Sequence, residues 1–253
     1  MPDELDGRSS RRHPPALNVP PVVVLLLLSF FLVEIGRAVL DPLQDMVVLV
    51  DFSFIPGCYS GGNAELCDLR AVGAGLWSPL TYAFLHGGWA HLLTNTVWML
   101  AFGTPVARRL GAVRFLVLSA LGSVAGAAAF ALFNPQLMEP VVGASGVVSA
   151  LMGAACRFAF QRSRVRGTQI VDDGPRLGIM QALSDRTVLF FVIFFFVINL
   201  VVGTGVGSLL VGGDAEVAWE AHLGGFVFGF LTFALFDRQP SPPGEEGLKS
   251  DEI

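Results

Sequence analysis

Charged side chains are scarce in this 253-residue sequence, making up 15% of it, whereas a soluble domain carries about 25%. So few charges cannot cover a water-facing surface. With 53% hydrophobic residues and a mean hydropathy of +0.63, the chain reads as an integral membrane protein. Disorder is excluded for the same reason everywhere except at the two ends. A net charge of −5, with basic residues scattered singly, argues against nucleic acid as a partner. Cysteine is sparse too, at three residues. Cys58 and Cys67 share one segment and could form a disulfide if that segment faces an oxidising compartment. Cys156 reads as a small buried residue. No internal repeat is present.

The runs free of charge are 13–33, 71–107, 115–138, 140–156, 187–213 and 221–236. A bilayer-spanning helix needs roughly 20 mostly apolar residues, so these runs predict six helices near 20–40, 79–103, 113–133, 143–160, 187–210 and 217–236. The fold class is therefore an all-α six-helix membrane bundle, because lipid offers no partner to an open strand edge. The fourth and sixth spans are the shortest. With the N-terminus in the cytoplasm, all 16 basic residues fall on the inner side except Arg37, within the first span, and Arg70, in the outer loop. That asymmetry predicts an N-in, C-in topology. The first apolar run continues through Phe30, Phe31 and Val33 without a small-residue cleavage site, so it is read as an uncleaved helix. Residues 1–19 and 237–253 are expected to be disordered tails around a membrane domain at 20–236. The loop 41–78 is the one sizeable outer segment. The expected place is a bacterial inner membrane.

Polar groups at membrane depth are costly and mark function. The second span holds His86-Gly87-Gly88-Trp89-Ala90-His91-Leu92-Leu93-Thr94-Asn95, the fourth opens with Gly143-Ala144-Ser145-Gly146, and the sixth holds Ala221-His222-Leu223-Gly224-Gly225 and then Gly229. With the topology fixed from charge alone, all lie in or near the outer half of the bilayer. Ser145 and His222 suggest a nucleophile and its general base, since a serine hydroxyl attacks only once a neighbouring imidazole takes its proton. Helices come that close only over small residues. Gly146, Ala150 and Ala154 in the fourth span and Gly225 and Gly229 in the sixth supply such faces. His91 and Asn95, four apart, project from one helix face and could donate to an oxyanion. Asn199, alone in the fifth span, reads as interhelical glue, and the Phe190–Phe196 run as lipid-facing or core packing. Glu34 and Arg37 are spaced to pair. Glu220, two positions before His222 on a helix, points elsewhere.

These residues, over about 79–236, resemble the rhomboid family of intramembrane serine proteases. Gly143-Ala144-Ser145-Gly146 is similar to the family's Gly-x-Ser-Gly nucleophile motif, and Ala221-His222 with Gly224, Gly225 and Gly229 to its catalytic-histidine helix. The stretch from His86 to Asn95 is similar to its second-helix motif, with His91 and Asn95 in the oxyanion positions. The resemblance implies a six-helix bundle with a water-filled site open to the outside. It also implies peptide-bond hydrolysis in or beside a substrate's transmembrane helix, through an acyl-enzyme and without metal or other cofactor. Ser145 would attack, His222 would carry the proton, and His91, Asn95 and the Ser145 backbone N–H would hold the oxyanion. The partners implied are transmembrane protein substrates within the lipid bilayer. Two positions depart from the family pattern. Members often carry an aromatic four residues after the serine, where this chain has Ser149, and several carry a Trp-Arg pair in the first outer loop, where Arg70 and Trp77 are not adjacent.

Two other functions compete. A catalytically inactive rhomboid-like binder of membrane clients would be marked by loss of the serine or the histidine, and both are present. A polar transport path would call for a deep carboxylate or paired repeats, which spans two to six lack.

Overall fold

Helix α1 (Pro21–Ala38) begins on a proline, whose missing N–H is no loss in a first turn. The computed structural model describes residues 19–61, 64–160, 164–166, 169–171, 174–203 and 217–238. Nearly all of both expected tails lies outside these residues. After α1 come α2 (Pro42–Phe52) and α3 (Ala64–Asp68), within the segment expected as an outer loop, and α4 (Ala74–Thr81), which runs three residues past its end. The α2 start is a capping box, in which the Asp41 carboxylate accepts from the Leu43 and Gln44 N–H groups while Gln44 Oε1 accepts from the Asp41 N–H.

The second expected span, 79–103, is corrected by the structure. The chain turns through Leu85-His86-Gly87-Gly88 without helix, and the rod starts only at α5 (Trp89–Trp98). It runs on through a π-turn (Met99–Gly103) into α6 (Thr104–Leu110). Gly88 has φ +127°, a conformation that breaks any helix and suits glycine. The π-turn has a local cause as well: Pro105 has no N–H to give the carbonyl four residues back, so the turn widens there. His86 therefore sits on the loop ahead of the helix that carries His91 and Asn95.

Among the described residues five more helices follow: α7 (Ala112–Phe133), α8 (Ser145–Ala155), α9 (Ile179–Ser184), α10 (Arg186–Gly203) and, after residues that are not described, α11 (Trp219–Phe236). A short antiparallel hairpin, β1 (Arg164–Arg166) and β2 (Gln169–Val171), interrupts the all-α expectation between α8 and α9. Among the described residues, α1, α7, α10 and α11 are long and apolar enough to cross a membrane, and α8 is a shorter apolar helix. The fourth expected span, 143–160, shrinks to the 11 residues of α8, about 16 Å at 1.5 Å per residue. The part of the fifth expected span beyond 203 lies outside the described residues.

α8 is the core. Every residue from Gly146 to Ala155 is buried, which suits a helix that is apolar all round and enclosed by others. α7 and α11 flank it at backbone contact. A Cβ on Gly122 of α7 would lie 2.5 Å from Ala150 Cβ, one on Gly153 would lie 2.1 Å from Phe226 O, and one on Gly229 would lie 1.8 Å from Ala150 O. Glycine is required at such crossings because no other residue lets the backbones touch.

The outer segment is held by polar ties. Cys58 and Cys67 are joined in a disulfide, with Cα atoms 5.5 Å apart. Arg70 donates to Val50 O at 2.8 Å and Ser53 O at 2.9 Å, and Trp77 Nε1 donates to Asp51 O at 3.0 Å. Although not adjacent in sequence, Arg70 and Trp77 thus fasten the same turn at the end of α2. Burial pulls the Arg70 guanidinium pKa below its ordinary value, opposed electrostatically by the neighbouring Tyr59 and Asp51. The expected Glu34–Arg37 pair is present at 3.3 Å, and Arg37 also binds Asp45 at 2.7 Å and His86 O at 2.7 Å. One guanidinium thereby ties α1 and α2 to the loop before α5.

Candidate active site

Ser145 is the first residue of α8, so its N–H and that of Gly146 belong to the turn whose donors lack intrahelical acceptors. The chain reaches it through Gly143, at φ +123°, whose N–H donates to Tyr82 O at 3.0 Å. A Cβ on Gly143 would stand 2.7 Å from both Nε2 and Cε1 of His91 and 3.7 Å from Ser145 Oγ. The His91 ring edge and the Ser145 hydroxyl therefore border one small volume that only glycine leaves open. Ser145 is half-buried rather than sealed in the core.

His91 has its ring set from behind. Its Nδ1 accepts the Gly87 N–H at 3.4 Å, which leaves the ring hydrogen on Nε2, the atom facing Gly143. His86 packs edge-on against it with ring centroids 5.2 Å apart, and is itself buried against Phe30. Asn95 is buried one turn later. One of its two amide hydrogens goes to His91 O at 3.2 Å.

His222 stands in the first turn of α11, half-buried. The first turns of α8 and α11 pass in contact. A Cβ on Gly225 would lie 2.1 Å from Gly146 O, and one on Gly126 would lie 2.9 Å from Ala221 O and 3.4 Å from Gly146 Cα. Tyr82 fills the adjoining corner, buried, with its hydroxyl donating to Ser123 O at 3.0 Å. Among the described residues no hydrogen bond joins Ser145 Oγ to His222; the imidazole bonds through Nδ1 to Asn199 Oδ1 of α10 at 2.6 Å. Glu220 indeed turns away, accepting from Asn134 Nδ2 at 3.0 Å. Ser149 is buried beneath the serine, and among the described residues no aromatic ring stacks on His222.

Tyr82 escaped the sequence reading of the site, and so did the partner of Asn199, which does act as interhelical glue. Asn199 was visible as the one amide in an apolar run, but its partner was not. Tyr82 carried no signal. An apolar cavity of about 200 Å3 lies between α10 and α11, walled by Phe195, Phe196, Trp219 and Leu223 and reaching Asn199. Among the described residues no three His, Cys, Asp or Glu side chains gather in a metal-binding group.

Residues 73–239 match the family model described as Rhomboid domain. The chain is 29% identical over 212 residues to the rhomboid protease GluP of Bacillus subtilis, covering 84% of this chain and 33% of the relative. It is 31% identical over 171 residues to the rhomboid protease GlpG of Serratia proteamaculans, covering 68% and 51%. To rhomboid-related protein 3 of Homo sapiens it is 34% identical over 135 residues, covering 52% and 30%. The chain thus spans between 30% and 51% of the length of these curated relatives. With its apolar helices, the matched domain makes it an integral multi-pass membrane protein. It belongs to the rhomboid family.

Proposed function

We propose that the chain is an intramembrane serine endopeptidase that hydrolyses peptide bonds in or near the transmembrane segments of membrane proteins, using Ser145 and His222. The observation that carries this reading is the contact of Gly225 with the Gly146 carbonyl, because Ser145 and His222 flank it on their two helices. The proton path is short. The Ser145 hydroxyl hydrogen passes to His222 Nε2 as Oγ attacks the substrate carbonyl. The oxyanion is received by the Ser145 N–H, His91 Nε2–H and the remaining Asn95 amide hydrogen. The amine then leaves with the His222 proton, and water attacks the acyl-enzyme by the same relay in reverse. The hydrogen bond between Ser145 and His222 is absent here, and catalytic hydrogen bonds commonly tighten only when substrate arrives.

In this reading the rod from α5 to α6 and the short α8 join the four longer helices as six spans, N-in and C-in, forming the membrane domain at 20–236. The Cys58–Cys67 disulfide supports an outer placement of its loop, since such bonds persist in oxidising compartments. A bacterial inner membrane fits that arrangement. The test is cleavage of a purified single-span reporter protein in proteoliposomes containing EDTA, with the cut mapped by mass spectrometry. The expected result is one cut within or beside the reporter's span, undiminished by the chelator. An uncut reporter, or activity that vanishes with EDTA and returns with metal, overturns the proposal.

A further inference from the structure

A general base must offer a lone pair on the nitrogen facing the nucleophile, so its other nitrogen must carry the hydrogen and be held there by an acceptor. In a serine–histidine–aspartate triad a carboxylate fills that post. Among the described residues none does: Glu220 is engaged by Asn134, and the position one turn after Ser145 is Ser149, without a ring to brace the imidazole.

We propose that Asn199 is the positioning residue for His222, fixing through its Oδ1 the tautomer and orientation that the dyad requires. This rests on the Ser145–His222 reading above. The Asn199 amide is oriented by its own helix: Nδ2 donates to Phe195 O at 2.8 Å, and a carbonyl only accepts, so the atom turned towards His222 is Oδ1. Oδ1 likewise only accepts. At 2.6 Å from His222 Nδ1 it therefore requires hydrogen on Nδ1, which leaves Nε2 bare to take the serine proton.

Packing one turn away sets the register. Phe195, four residues before Asn199, stacks on Phe226, four residues after His222, with centroids 4.5 Å apart, and Phe196 meets the same ring edge-on at 5.7 Å. The two antiparallel helices thus present Phe195 to Phe226 and Asn199 to His222 as successive rungs. An amide in a lipid-spanning run is expensive. Its pairing here, donor to Phe195 and acceptor to His222, accounts for its presence. A neutral amide holds the tautomer without adding a charge beside the imidazolium that forms, which distinguishes it from the aspartate of a triad.

The test compares Asn199→Leu, of similar size but with no acceptor, with Asn199→Asp, which keeps the oxygen. kcat, KM and the thermal midpoint are read together with the 15N spectrum of histidine-labelled protein. Asn199→Leu is expected to lower kcat about tenfold or more, with KM and the midpoint near wild type, while Asn199→Asp retains more of kcat. The wild-type spectrum should show His222 with its hydrogen on Nδ1, and Asn199→Leu should show mixed tautomers. Equal losses in both variants, or an Asn199→Leu enzyme with wild-type kcat and an unchanged tautomer, overturn the assignment. A loss confined to the thermal midpoint does so too. Cleavage that is indifferent to Ser145→Ala would instead sink the dyad, and the spectrum alone would still decide whether Asn199 sets the tautomer.

Discussion

Ser145→Ala is expected to abolish reporter cleavage, lowering the rate on the order of 10^5-fold or more, as removal of a nucleophile does in enzymes whose catalytic groups act as a unit. The change removes one oxygen from a half-buried position at the head of α8 and leaves the buried face from Gly146 to Ala155 untouched. Its thermal midpoint should match wild type, and the variant should still bind the reporter, since His91, Asn95 and the surrounding helices keep their places. Initial rates from a quenched time course, read beside co-purification of uncut reporter, check both halves of the expectation. Cleavage at wild-type rate would remove Ser145 from the reaction.

Gly229→Leu is expected to have the largest effect on the fold. The new Cβ alone would lie 1.8 Å from Ala150 O and 2.6 Å from Ala150 C, both backbone atoms that cannot swing aside. α11 and α8 would have to separate along their whole contact, one turn below the Gly146–Gly225 crossing that brings the site together. Overpacking of a close core costs about 1–3 kcal/mol and more where nothing yields, so a loss of at least about 3 kcal/mol and of all cleavage is expected. Gly36→Ala in α1 is the matching control, because a Cβ there meets nothing within 4 Å. Removing glycine from a helix interior without a clash stabilises by roughly 0.5–1 kcal/mol. Thermal denaturation of the two variants in detergent measures the contrast; equal midpoints would contradict the packing argument.

The spans α1, α7 and α11 were legible because charge-free runs and their flanking charges mark where lipid begins, and their ends agree to about two residues, the usual uncertainty of helix boundaries. The stretch 79–88 misled for a physical reason. It is as apolar as a span, but α4 ends at Thr81 and the Gly87-Gly88 pair leaves a loop ahead of α5, and hydropathy does not register backbone conformation. α8 was overextended because a helix apolar on every side resembles a span by composition even when it is only 11 residues long. At the site, Ser145, His222, His91 and Asn95 stood out as polar groups among apolar neighbours, and so did Asn199. Hidden were the pairings between helices: Asn199 with His222 and Asn134 with Glu220 join residues 23 and 86 positions apart. Such partners depend on helix register, which packing such as Phe195 against Phe226 decides and no local pattern records.

The central claim is that His222 makes Ser145 a nucleophile, and mass spectrometry after treatment with a serine-directed fluorophosphonate tests it most directly. The account predicts a single adduct on Ser145 in the wild-type protein and none in a folded His222→Ala variant. An adduct on another residue, or equal labelling of Ser145 without His222, would contradict it.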